Sequence, residues 1–180
     1  MTISNNKEFS SSDIELALDR ISDEIATNHR DTAELFLVGI AEGGVPMARR
    51  LASKISKKLD RKILHGVVDV SFHRDDIGSK PIPKISSPTE IPEIVDGGTC
   101  VLVDDVIHTG RSTRAALNEL FDQGRLRRIE LAVLVDRGNR KLPIQPDYVG
   151  FAEDISNNQE VTVEMDSNDS TRDNIQITAK

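Results

Sequence analysis

The chain has 180 residues, of which 37% are hydrophobic and 29% are charged, and its net charge is −7 at pH 7. A chain of this length and composition is expected to fold as one globular domain, residues 1–180, with a sizeable core. The acidic balance disfavours sequence-independent binding to nucleic acid, which depends on a basic surface. A single cysteine, Cys100, excludes an internal disulfide and a metal site built from several cysteines.

No stretch approaches the roughly 18 consecutive apolar residues of a membrane-spanning helix. Residues 1–9 are polar and lack the apolar core of a signal peptide. We therefore expect a cytoplasmic protein that does not contact a membrane.

Helices and short apolar strands alternate in the first part of the chain. Ser12 and Glu15 have the spacing of a capping box, and apolar residues recur at helical spacing from Ile14 to Ile25. Leu35–Ile40 is almost entirely apolar, which is typical of a strand covered on both faces. The next predicted elements are a helix over Val45–Leu59 and a strand over Val67–Phe72.

A long irregular segment follows these elements. Over Arg74–Pro92 the hydrophobic periodicity fails, and prolines lie among glycines and serines. This composition predicts a flexible loop over about residues 74–92. Long loops inside compact domains are often functional lids, so we expect this loop to serve the site.

The second half of the chain repeats the alternation. Val101–Val103 resumes the sheet, Ser112–Gln123 is a predicted helix with Phe121 facing inward, and Ile129–Val135 is a buried strand. This alternation predicts an α/β fold with a doubly wound parallel sheet flanked by helices. The last predicted element is a hairpin of Val161–Met165 and Ile175–Thr178.

The segment Cys100–Ser112, CVLVDDVIHTGRS, joins a predicted strand to a predicted helix. Asp104 and Asp105 stand at the carboxyl end of that strand, where ligands bind in open α/β sheets. The helix N-terminus that follows offers free backbone N–H groups to a phosphate, and Gly110 lets the backbone approach it closely. Hydroxyl donors follow at Thr109, Ser112 and Thr113.

A ribose 5-phosphate fits both ends of this segment, with the phosphate on the loop and the ribose hydroxyls on the carboxylates. The two carboxylates are also suited to approach a hydrated Mg²⁺. The non-functional alternative is a tight strand-to-helix turn with solvated aspartates. A Walker phosphate loop is excluded because no Gly-Lys-Ser/Thr occurs, and Gly39, Gly43 and Gly44 do not form a dinucleotide fingerprint.

Residues 100–112 resemble the phosphoribosyl-pyrophosphate (PRPP) motif of the type I phosphoribosyltransferases. The segments VDVSFHRDDI, GRSTRAALNEL and RRIELAVLVDRGNRKLPIQPDYVG resemble one subfamily, the pyrimidine-operon regulators that are also uracil phosphoribosyltransferases. The resemblance covers roughly residues 12–150, with Val135–Gly138 and Leu142–Ile144 as its most specific parts.

The resemblance implies a type I phosphoribosyltransferase fold with a small hood, largely residues 150–180, beside the flexible loop. It also implies transfer of ribose 5-phosphate from PRPP to uracil, giving UMP and pyrophosphate. Mg²⁺ would arrive with PRPP, and no metal held by the protein itself is expected. A homodimer or homotetramer is expected from the same resemblance.

Individual residues take roles from the resemblance. Asp104 and Asp105 would hold the ribose diol, and Lys84 would reach in from the flexible loop, so these are the expected catalytic residues. Arg137, one residue past a buried strand, would either face the substrate or lie on the surface of a turn, and Val161 would lie in the hood near the base. The expected cradle for the 5-phosphate consists of Val106, Ile107, His108, Thr109, Gly110, Arg111 and Ser112.

Two positions depart from the family pattern. The loop after the first strand usually carries a basic residue that meets the pyrophosphate, but here Ala41 and Glu42 occupy it. Phe151 follows Gly150 where relatives tend to carry Lys-Asn. A phosphoribosyltransferase for another base, or a nucleotide-binding relative with little turnover, therefore remains an alternative.

The first helix also departs from the RNA-binding relatives, which present basic and polar residues there. This chain carries Glu15, Leu16, Asp19 and Asp23 on that helix, with Arg20 as its one retained cation. Because each lost phosphate contact weakens RNA binding, we expect weak or absent binding to an RNA leader hairpin while UMP binding persists.

Overall fold

The computed structural model describes residues 6–70, 88–93, 96–166 and 169–180. Residues 74–87 of the predicted loop, including Lys84, lie outside the described residues. Among the helices that the structure does describe, none is long and apolar enough to cross a bilayer. The elements are β1 (Lys7–Phe9), α1 (Ser11–Asn28), β2 (Leu35–Ile40), α2 (Gly44–Leu59), β3 (Leu64–Val68), β4 (Thr99–Ile107), α3 (Arg111–Gln123), β5 (Arg128–Asp136), β6 (Tyr148–Ala152), β7 (Gln159–Glu164), a 3₁₀ turn (Ser170–Arg172) and β8 (Asn174–Ala179).

Five parallel strands form the large sheet, in the order β3-β2-β4-β5-β6. Helices α1 and α2 cover one face, and α3 covers the other. All of β2 is buried, as expected for a strand with helices on both sides. The prediction of an α/β fold with a doubly wound parallel sheet is confirmed.

Three antiparallel strands form a second sheet, in the order β1-β8-β7, and this sheet is called the hood below. The predicted hairpin is confirmed as β7 and β8, whereas the pairing of β1 is an addition that the sequence pattern did not predict. Ile175 and Ile177 of β8 are buried in the core that contains α1 and α2. Strand β7 also contacts β4, so the hood lies beside the strand that carries the two aspartates.

An ion pair ties α2 to the hood. Arg50 Nη2 donates to Asp173 Oδ1 at 3.2 Å, and the same guanidinium contacts the carbonyl oxygen of Asp166. Asp173 is only 4% exposed, and its Oδ1 also accepts from the backbone N–H of Asp166 at 2.9 Å. A buried carboxylate is costly without such partners, so these contacts make its burial tolerable.

Helix α1 begins with a capping box two residues upstream of the predicted one. Ser10 is the N-cap: its Oγ accepts from the backbone N–H of Asp13 at 3.3 Å, and its own N–H donates to Asp13 Oδ2 at 2.8 Å. The prediction of Ser12 as N-cap is wrong because Asp13 takes the place of the usual Glu or Gln. The hydrogen bonds from Ser10 lower the pKa of the Asp13 carboxyl.

The bounds of two strands and the exposure of one side chain also differ from prediction. Strand β3 begins earlier than predicted and ends at Val68, because it pairs residue by residue with β2 up to Ile40 opposite Val68, while residues 71–72 of the predicted strand lie outside the described residues. Strand β4 is longer than predicted and includes both aspartates. Phe121 is 60% exposed because Leu120 already occupies the inward position, and adjacent residues on a helix point about 100° apart.

The opposite, amino-terminal edge of the sheet contains a buried polar network. Glu130 Oε2 accepts from the Tyr148 hydroxyl and contacts His29 Nε2, each at 2.7 Å. Burial opposes ionisation of Glu130, but these hydrogen bonds and the nearby Arg128 outweigh it and lower the pKa of Glu130. The network borders an open polar cleft of about 410 Å³, and it packs α1 onto β5 and β6.

Candidate functional site

Two carboxylates lie near the carboxyl end of β4. Asp104 is 7% exposed, and Asp105 is half-buried. Asp104 Oδ1 accepts from the backbone N–H of Asp105 at 3.0 Å, and Asp105 Oδ1 accepts from that of Val106 at 2.7 Å. Burial and the adjacent charge of Asp105 raise the pKa of Asp104. Carboxylates in this arrangement can accept hydrogen bonds from sugar hydroxyls or bind a cation.

The loop from β4 to α3 surrounds a depression of about 80 Å³. Gly110 makes the turn into α3 with a φ of 88°, in the left-handed region that favours glycine. Thr113 is 2% exposed, and within the described part of the chain its hydroxyl has no hydrogen-bond partner. Because buried polar groups are normally paired, this hydroxyl and the N-terminal amides of α3 point to an anionic group in the depression. The lining residues are Asp104, Val106, Ile107, His108, Thr109, Gly110, Arg111, Ser112 and Thr113.

Positive charge surrounds this loop. His108 is half-buried within it, and burial together with the charges of Arg137, Lys180, Arg140 and Lys141 lowers the pKa of His108. The neutral imidazole is therefore favoured, and the positive potential that disfavours its protonation favours a bound anion.

The loop between β2 and α2 packs against Asp105. A Cβ atom at Gly43 would lie 2.2 Å from Asp105 Oδ2, so any larger residue there would displace the Asp105 carboxylate. The Ala41–Glu42 peptide bond is cis, and the Glu42 side chain is exposed. Helix α2 begins at Gly44 with no acidic residue in its first turn, and it abuts β4 beside Asp104. A second helix N-terminus thus meets the same edge of the sheet.

Arg137 lies where β5 ends, between the large sheet and the hood. It is 9% exposed, so the alternative of a surface arginine in a turn is wrong. Its Nη2 donates to the carbonyl oxygen of Gln159 at 3.1 Å, and its backbone N–H donates to that of Ile107 at 3.1 Å. Its Nε is buried and, in the ranges that the structure describes, has no partner, which leaves a donor for a bound molecule.

The predicted site residues divide into three groups. The aspartates, the loop Val106–Ser112, the loop with Ala41 and Glu42, and Arg137 converge on one edge of the sheet. Val161 lies on β7, half-buried against the core of α1 and α2. Lys84 falls outside the described residues.

Comparisons with known proteins identify the family of this chain. The model of the family described as "Phosphoribosyl transferase domain" matches residues 9–168. A "Bifunctional protein PyrR" of Pelotomaculum thermopropionicum is 45% identical over 152 residues, which cover 84% of each chain. Another of the same name, from Streptomyces coelicolor, is 44% identical over 169 residues, 93% of this chain and 86% of that one. The chain belongs to the PyrR family of phosphoribosyltransferases.

Solved structures share the fold of this PyrR-family chain at low sequence identity. The hypoxanthine phosphoribosyltransferase of Trypanosoma cruzi superimposes with a TM-score of 0.69 at 17% identity, covering 96% of this chain and 95% of that one. A likeness at this identity bears on the fold alone, and it confirms the predicted type I phosphoribosyltransferase architecture.

Two features of the site go beyond the prediction, which names Thr113 only as a hydroxyl donor at the start of the helix and assigns no contact to Gly43. Thr113 carries a signal in the sequence, a hydroxyl in the first turn of the helix after the aspartates, but only its burial without a partner distinguishes it from a capping residue. The contact of Gly43 with Asp105 joins positions that are far apart in sequence. No local pattern encodes that contact.

Proposed function

We propose that this chain transfers the ribose 5-phosphate of PRPP to uracil, giving UMP and pyrophosphate. The observation that carries the proposal is the depression with the unpartnered Thr113 hydroxyl beside the carboxylates of Asp104 and Asp105. The depression takes the 5-phosphate, and the carboxylates accept from the ribose hydroxyls. In the reaction, the bond from ribose C1 to the pyrophosphate oxygen breaks, a bond from C1 to a base nitrogen forms, and the proton of that nitrogen is released to solvent.

The leaving pyrophosphate is assigned to the loop between β2 and α2. The N-terminus of α2 favours an anion there, and Gly43 keeps the backbone close to Asp105. The residues also fit Mg²⁺, because this ion is usually bound by one or two carboxylates together with substrate phosphates. Bound with PRPP, it would supply charge neutralisation for the departing pyrophosphate.

The base is assigned to the space between Arg137 and the hood. The buried Nε–H of Arg137 suits a carbonyl oxygen of a base, and its Nη2 is held by the backbone of β7. The choice of uracil follows from the sequence resemblance and from the PyrR relatives, since the carbonyl acceptor alone also fits hypoxanthine.

An assay with purified protein tests this proposal. UMP formation from uracil, PRPP and Mg²⁺ is measured beside parallel reactions with adenine and hypoxanthine. We expect UMP as the product, and activity lost in the Asp104→Asn, Asp105→Asn double variant. Turnover of a purine instead of uracil would overturn the base assignment, and UMP binding without turnover would identify a nucleotide-binding relative.

For regulation, we propose that UMP occupies the same site but that binding to an RNA leader hairpin is weak or absent. Asp19 and Asp23 on the exposed side of α1 pair with Lys54 and Lys58 of α2, at 2.7 and 2.6 Å. Arg20, the retained cation, donates to the carbonyl oxygens of β6 and so packs α1 onto the sheet. The face of α1 therefore offers an RNA backbone little unpaired positive charge.

A further inference from the structure

The side chain of Arg140 is enclosed by acceptors from one loop region. It is 16% exposed, and its Nη2 lies 2.6 Å from Asp136 Oδ2. Its Nη1 donates to the carbonyl oxygens of His108 at 2.9 Å and Gly138 at 3.2 Å, and its Nε donates to that of Ile144 at 3.1 Å. Each of the three guanidinium nitrogens thus has a hydrogen-bond or ion-pair partner within the protein. A cation that binds a partner molecule would instead leave nitrogens available to it.

One of these acceptors belongs to the phosphate loop. His108 lies in the middle of the loop that surrounds the 80 Å³ depression, and Arg140 reaches its carbonyl oxygen from a segment 32 residues later. Backbone bonds support the same contact, because the N–H groups of Lys141 and Leu142 donate to Thr109 O at 3.1 and 3.2 Å. The segment 136–144 therefore forms a wall against which the phosphate loop rests.

The wall also contacts the connection into the hood. Asn139, with a φ of 56°, donates from Nδ2 to the carbonyl oxygen of Ile155 at 3.0 Å. Asp136 Oδ1 accepts from the backbone N–H of Gly138 at 2.9 Å, so the carboxylate that holds Arg140 also shapes the turn. Arg140 stands at the centre of these contacts because its guanidinium bonds to the turn, the wall and the phosphate loop.

We propose that Arg140 is a positioning residue that holds the phosphate loop in its binding conformation through the fork geometry of its guanidinium. This rests on the proposed use of that loop for the 5-phosphate of PRPP. A rigid planar fork can satisfy several carbonyl oxygens at fixed angles, whereas a lysine ammonium supplies the same charge without that geometry. Small displacements of binding groups are costly to affinity, so a loosened loop should bind the phosphate less well.

Three variants distinguish the geometric role of the Arg140 guanidinium from the effect of its positive charge. Arg140→Gln removes both charge and fork, and Arg140→Lys keeps the charge alone. Arg127→Gln is the matched control, because it removes an exposed charge at the opposite, amino-terminal edge of the sheet, away from the phosphate loop. Calorimetry measures binding of PRPP with Mg²⁺, and hydrogen exchange follows the amides of residues 107–112 in the unliganded protein.

We expect both Arg140 variants to bind PRPP about tenfold more weakly and to exchange these amides faster, whereas the control changes affinity by about twofold at most. Wild-type affinity in Arg140→Lys, or unchanged exchange in both Arg140 variants, would overturn the proposal. If Arg140→Gln does not fold, Arg140→Lys decides alone. If the wild-type protein does not bind PRPP, the proposed function fails, and the exchange measurement still decides whether Arg140 holds the loop.

Discussion

The buried carboxylate of Asp104 serves the proposed ligand site but lowers the stability of the folded chain at neutral pH. Burial and the neighbouring Asp105 raise its pKa, so the folded state binds this proton more tightly than the unfolded state. The stability that it contributes below its usual pKa of about 3.9 is lost as the pH rises through the raised value. At neutral pH the charge is therefore a cost to folding, which is typical of residues kept for function.

Replacing Asp104 by asparagine should raise stability and weaken ligand binding together. For Asp104→Asn we expect a gain of about 1 kcal/mol in the free energy of unfolding at pH 7, which corresponds to about 2–4 °C in melting temperature. Thermal unfolding between pH 4 and 8 measures it, with Asp105→Asn for comparison. The gain should shrink toward pH 4. Unchanged affinity for PRPP and UMP in the double variant would rule out the ribose-diol assignment.

Glu42 places a negative charge on the loop assigned to pyrophosphate. Two like charges about 4 Å apart would cost roughly 4 kcal/mol at an effective dielectric of about 20, and the exposure of Glu42 reduces this. We expect Glu42→Arg to raise kcat/KM for PRPP by about tenfold at low salt. Steady-state kinetics with Glu24→Arg, the same charge change on the exposed side of α1, provides the control. A flat or lower value would mean that Glu42 points away from the ligand.

At the scale of single elements, the hood depends on a few long-range contacts. Asp173 is nearly buried and pairs with Arg50 of α2, so loss of its charge leaves a partly buried guanidinium without its carboxylate. We expect Asp173→Ala to lower the free energy of unfolding by about 3 kcal/mol, because breaking a buried pair costs far more than breaking an exposed one.

The adjacent Arg172 supplies the control for that prediction. Its side chain is 73% exposed while it pairs with Asp166 and Asp169, so Arg172→Ala should change stability by less than about 1 kcal/mol. Urea unfolding of both variants measures the difference. Equal effects would show that the pair between Arg50 and Asp173 does not hold the hood.

The sequence predicts those elements whose pattern is local. The buried run of β2 and the motif that begins within β4 are each contiguous in sequence, so the parallel sheet and the phosphate loop can be predicted from the residues themselves. Strand β1 has only three residues, and it is a strand solely because β8 pairs with it. The roles of Arg137 and Arg140 likewise depend on backbone oxygens that folding brings near, and no spacing rule reveals them.

On the scale of the whole molecule, surface charge argues against RNA as a strong partner. The net charge is −7, and acidic side chains of α1 form ion pairs with lysines of α2. In a gel-shift titration with a pyrimidine-operon leader hairpin, with and without UMP, we expect no submicromolar binding at about 0.15 M salt. UMP-stimulated, sequence-dependent binding in that range would show that the remaining cations suffice for attenuation.

The pairing of β1 with β8 also orders the events of folding. Lys7 lies opposite Ile177, so this contact closes a loop that contains the entire large sheet. Closing so long a loop costs entropy that only the prior collapse of the intervening chain can reduce. During synthesis, residues 7–9 must therefore wait for residues 175–177, so the large sheet, with the loop proposed for the phosphate, can form before the hood is complete. A released chain that ends before β8 should therefore contain the loop proposed for the phosphate but lack the complete hood.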